Sequence, residues 1–128
     1  AGIAMGLGDV SVKAVPKMCL VSKPFHGGHL NTRTFIPRVC HQAIGVLGAV
    51  SVATAALFEG SAIHDLAEIP AGNHKQMRIE HPSGHFDVQL ELNPDSPDID
   101  ITGAGLLRTA RLISKGEVFI PASVWSKK

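Results

Sequence analysis

The stretch Phe35–Ala43, FIPRVCHQA, sits just ahead of a long apolar run and gathers the residue types that do chemistry. Arg33 and Arg38 precede what reads as a helix start. Two guanidinium groups beside the free N–H groups of a helix N-terminus make a carboxylate cradle; ordinary surface charge is the plain alternative. Cys40 also lies there, and helix N-termini stabilise thiolates, so a reactive cysteine is one reading. Cys40 and His41 are adjacent and therefore do not face each other, so they form no Cys-His dyad by themselves. A buried structural cysteine is the competing reading. His26 and His29 in HGGH suggest a metal pair, but a zinc site needs three or four ligands at recognisable spacing and no clear third is present. A surface or substrate-contacting loop is the better reading, and no metal is expected. Asp95, Asp98 and Asp100 alternate with isoleucines and read as the wet face of a strand. Arg108 and Arg111 read as solvated or carboxylate-paired. No GxGxxG, P-loop or GxSxG motif occurs.

The elements that must hold these residues follow from periodicity. AIGVLGAVSVATAALF, 43–58, has no internal turn signal and predicts a helix over about 41–58, stopped by Gly60. It is apolar on every face, which places it inside a core. It is shorter than the roughly 20 residues a membrane span needs, and His41 and Glu59 edge it. KMCLVS, 17–22, reads as a buried strand, and KPFHGGHLNTRT, 23–34, as a loop. QMRIEH and HFDVQLEL alternate strictly around the turn HPSG and predict a β-hairpin with one wet face. DIDIT predicts a further strand with Ile99 and Ile101 inward. GLLRTARLISKGEVFIP fits either a helical stripe or two strands about Lys115-Gly116. Strand, central apolar helix and then antiparallel strands make an α+β fold.

Composition bounds the function classes. The 128 residues suffice for one domain, with 45% hydrophobic and 18% charged residues and a net charge of +1. Such a balance carries no broad basic field for nucleic acid and no polybasic membrane patch. Cys19 and Cys40 are too few for a disulfide framework and read as reduced thiols of a cytoplasmic protein. The N-terminus has neither a signal-peptide pattern nor an initiator Met, so a fragment of a larger protein is the expectation.

Four phrases in order, AMGLGDVSVKAVPKMCLVS, TRTFIPRVCHQAIGVLGAVSVATAALFEGSA, IEHPSGHFDVQLEL and LLRTARLISKGEVFIPASVW, span nearly the whole chain. Together they resemble the C-terminal portion of PrpF-like isomerases, and within them the 4-oxalomesaconate tautomerase branch. The resemblance implies a diaminopimelate-epimerase-like fold. There, two halves each wrap a sheet around a central helix, with the active site between them. It favours the strand reading of the last phrase. Residues 1–128 would be the second domain, and acid-base groups of the first half, commonly a Lys or a Cys, match nothing here. The implied chemistry is a cofactor-independent 1,3-proton shift on a small unsaturated polycarboxylate, of the kind met in aromatic-acid degradation. Methylaconitate or methylitaconate is the alternative substrate. Of the helix-start loop, Thr32, Arg33, Phe35, Pro37, Arg38, Cys40 and His41 carry over, and Arg38 stands where relatives often show His. On this resemblance His41 and Cys40 are the catalytic candidates, and Thr32, Arg33, Arg38 and Gln42 the substrate-binding ones. The partners implied are the polycarboxylate, an absent N-terminal half or second chain, and a possible second copy. A catalytically inactive fragment, or a binding or assembly module, is the rival reading.

Overall fold

A computed structural model describes residues 1–125. Among the described residues five strands form one sheet in sequence order: β1 (Met18–Ser22), β2 (Leu30–Phe35), β3 (His74–His81), β4 (Gly84–Leu92) and β5 (Ile101–Leu106). Neighbours are antiparallel except β2 and β3, which run parallel. A parallel pair needs a crossover, and the helix α1 (Val46–Leu57) supplies it, followed by a short 3₁₀ turn at His64–Leu66. The α+β class and the predominantly antiparallel sheet agree with the sequence reading.

The hairpin forms where the alternation demands it. Met77 pairs with Val88, Ile79 with Phe86, and His81 with Gly84 across the turn. Met77, Ile79, Val88 and Leu90 are fully buried and meet Leu30 and the helix stripe Ala49, Ala53, Ala56 and Leu57. Alanines at that spacing let the helix backbone approach the sheet closely.

Several expectations need correction. Strand β1 is not buried, since Met18 and Leu20 on it are exposed at the sheet edge, and β5 starts only at Ile101, which leaves Ile99 exposed ahead of it. Helix α1 begins at Val46, not near residue 41, because the preceding residues are committed elsewhere. His41 donates its backbone N–H to Thr34 O, Gln42 O accepts from the backbone and side chain of Ser83, and Ile44 is already buried in the core. The sheet covers only one face of the helix and does not wrap it: Leu47 is 81% exposed although the helix is apolar all round. LNTRTF, which falls in the stretch read as loop, is strand β2, because β1 and β3 flank it and satisfy its backbone. Beyond β5, residues 107–121 form neither the helix nor the strands expected of them. Their apolar side chains meet no surface here, and without burial nothing offsets the entropy of ordering them.

Candidate functional site

Alternation along β2 and β3 sends Leu30, Thr32, Met77 and Ile79 toward α1 and Asn31, Arg33, Arg78 and Glu80 to the opposite face. Glu80 was missed by the sequence reading, which assigns alternate hairpin positions to water. It is 3% exposed. Its Oε1 accepts the amides of His26 (2.7 Å) and Gly28 (2.8 Å), and its Oε2 accepts that of Phe25 (2.8 Å). Burial pushes this carboxyl up, but the three amide donors, with the nearby His26, outweigh burial and hold it below the usual range. The HGGH loop is thus bound to the sheet by one carboxylate. Gly28 is required there, since a Cβ would lie 2.7 Å from Glu80 Cγ and 3.0 Å from Arg78 O. The doubled glycine, read with an acidic residue on a distant strand, is the signal that could have pointed to this clamp. His29 serves the same packing, its Nδ1 accepting the Arg78 amide at 2.9 Å. Among the described residues no group of three or more His, Cys, Asp and Glu side chains is placed to hold a metal.

The proposed working segment divides between surroundings. Thr32 is buried, and its hydroxyl donates to Glu80 O at 2.7 Å, pinning β2 to β3, so this hydroxyl is not offered to a ligand. Arg33 lines a depression of about 250 Å³ on the face away from the helix, with His26, Arg78, Glu80, His81 and His85. Arg38 is exposed and donates to Ser11 O across the chain. Cys40 is half-buried and sits in a bridge to Phe35, with its Sγ near His41 O. It is five residues before Gly45, the N-cap, and therefore outside the first helical turn where the dipole acts.

His41 is exposed, and its Nδ1 lies 3.0 Å from the Ala43 amide nitrogen and 2.9 Å from Ala43 O. Nδ1 accepts from the one or donates to the other; either way the backbone occupies it. Gln42 uses its carbonyl for Ser83, which ties the segment to the β3–β4 turn. Across that turn, burial, together with His85 and His41 nearby, pushes the His81 imidazole below its ordinary value against hydrogen bonds at Gln42 and His85.

The helix start itself opens on a larger depression of about 610 Å³. It is lined by Lys17, Cys19, Thr34, Ile44 and residues 45–48, among others. Among the described residues no side chain caps the first turn. Cys19, not Cys40, is the thiol at this edge, and its Sγ accepts from Thr34 Oγ1 at 3.4 Å. Arg38, Cys40, His41 and Gln42 line neither depression. Asp95 and Asp100 belong to a turn that Asn93 closes, with Asn93 Nδ2 donating to Asp100 Oδ2 at 2.9 Å. Arg108 lies over the Phe86 ring, 5.0 Å from its centre. Among the described residues no helix is long and apolar enough to cross a membrane.

Comparison with known proteins adds to this geometry. The family described as PrpF protein matches residues 1–121. The chain is 52% identical over 124 residues to 4-oxalomesaconate tautomerase of Pseudomonas putida, covering 97% of this chain and 33% of that protein. It is 48% identical over 119 residues to (4E)-oxalomesaconate Delta-isomerase of a Novosphingobium species, covering 93% and 32%. Among solved structures, methylitaconate-delta-isomerase superposes with a TM-score of 0.59 at 18% identity, over 83% of this chain and 34% of that one. The chain therefore spans about a third of the length of the curated relatives it matches.

Proposed function

Since this chain belongs to the PrpF family, we propose that it is the C-terminal domain of a two-domain, cofactor-independent isomerase. The enzyme moves a proton by a 1,3-shift on a small unsaturated polycarboxylate such as 4-oxalomesaconate. The observation that carries this reading is the 52% identity to 4-oxalomesaconate tautomerase across 97% of the chain. The fold would be diaminopimelate-epimerase-like, with the site between this domain and the other, in a protein of the cytoplasm. The apolar residues left uncovered on α1 and beyond β5 support a body that meets a partner half. They equally suit the rival reading, an assembly module without activity of its own.

The chemistry needs the substrate carboxylates neutralised, a proton removed next to a carbonyl, and the enolate-like oxygen stabilised. Arg38, exposed and joined to no carboxylate among the described residues, is the cation on the segment before the helix. The uncapped amides of the first turn of α1 are preorganised donors for developing negative charge. The His41 ring is held at Nδ1 by Ala43, which leaves Nε2 to donate to a carbonyl oxygen or to pass a proton. Gln42 adds an exposed amide beside it, and Cys40 is the secondary candidate for proton exchange. Thr32 acts through the backbone of β2 instead, by fixing the strand that carries the segment.

The test uses the intact protein. Enol formation from 4-oxalomesaconate, followed by ultraviolet absorbance, is expected for the native enzyme. His41→Ala should lower kcat by roughly 10² to 10⁴-fold, the usual contribution of a proton-transferring side chain. Unchanged turnover in that variant removes His41 from the mechanism. Absence of turnover in the native protein removes the tautomerase reading.

A further inference from the structure

The geometry points to a second anion-binding site, on the sheet face opposite α1, that takes a small oxyanion bearing a carboxylate or phosphate group. It lies in the depression of about 250 Å³ that Arg33 was found to line, apart from the helix start. Arg33 commits Nη1 to Asn31 Oδ1 (2.9 Å) and to Thr32 O (2.8 Å), which fixes the guanidinium plane. No carboxylate pairs with it among the described residues. Its other N–H groups remain for a ligand, in the fork geometry that suits two oxygens of one acid group.

Arg78, on the neighbouring strand β3, lines the same depression and is oriented by Asp87 through Nε at 3.0 Å. His26, His81 and His85 also line the depression. Glu80 is the one carboxylate in the lining, and its presence does not close the site to anions. Both of its oxygens are occupied by backbone amides, and its burial turns it into an anchor for the loop that presents His26. Phe25 and Pro82 add apolar wall. The volume is below the range of roughly 300–1,000 Å³ usual for drug-sized ligands, so the occupant is a small anion or one acid group of a longer molecule.

The test is a titration of the intact protein with inorganic phosphate and, separately, malonate, followed by histidine ring and backbone amide resonances. Both anions are expected to move His26, His81 and His85. Arg33→Gln should weaken binding about tenfold, the loss expected for one charge-assisted contact, and His85→Gln should weaken it by less. Tighter malonate identifies carboxylate as the preferred group, and tighter phosphate identifies phosphate. If Arg33→Gln disturbs β2, His85→Gln decides the question, because the His85 side chain is exposed and outside the core. Unchanged affinity in the folded variants overturns the site. So do shifts confined to His41 and the amides of residues 46–48, which place the anion at the helix start only.

Discussion

The β3–β4 hairpin buries Met77, Ile79, Val88 and Leu90 completely, whereas the segment beyond β5 leaves Ile113 93% and Phe119 90% exposed. Both regions are rich in apolar residues, and both invite regular structure on paper. The hairpin has a helix stripe of alanines on one side and neighbouring strands on both edges. The later segment has no such surface among the described residues. An apolar pattern states a need for a partner, and structure follows only where the partner is present.

The largest effect is expected in the core of the hairpin. Leu90→Ala removes a fully buried side chain facing α1 and should destabilise by about 2–5 kcal/mol in urea denaturation. A cost below 1 kcal/mol would mean that this core is not the closely packed one described. Next is Glu80→Gln. The replacement amide turns a donor toward one of the loop N–H groups and should cost about 2 kcal/mol. The same variant should flatten the acid side of the stability curve. Glu80 has a lowered pKa in the folded state, so its contribution is present above the unfolded value near 4.5 and is lost as pH falls through the folded pKa. An equal acid slope in native and variant proteins would remove the clamp from the account.

Gly28→Ala should cost about 1–3 kcal/mol, because the added methyl meets Glu80 and the Arg78 carbonyl. Thermal denaturation would show this as a lowered Tm with the core hairpin otherwise unchanged. The smallest effect belongs to the other region. Phe119→Ala should stay within about 0.5 kcal/mol in the isolated 128-residue chain, since the ring contacts no core there. A larger loss would show that the segment docks on something in solution, and would bring the two regions closer together than the structure places them.

Much of this was legible in the sequence because it is local. The strict alternation of Met77, Ile79, Phe86, Val88 and Leu90 around Pro82-Ser83-Gly84 required a hairpin with one buried face. The run ending at Gly60 required a helix. The order of phrases from Ala4 to Trp125 pointed to the family that the comparisons then established. The start of α1 was misjudged because residues 41–45 are as helix-compatible as those after them, and only their bonds to Thr34 and Ser83 draw them away.

Other features depended on contacts between distant segments. That Glu80 is an internal anchor and not a solvated carboxylate follows from Phe25, His26 and Gly28, more than fifty residues earlier. That Arg33 and Arg38 serve different surroundings follows from strand alternation at one and an exposed loop at the other. That Cys19 stands at the helix start follows from β1 pairing with β2. Periodicity and turn chemistry act between near neighbours and can be read along the chain. Burial of a charge, the company of a guanidinium and the lining of a depression are set by which strands lie side by side, and the tertiary structure alone decides that.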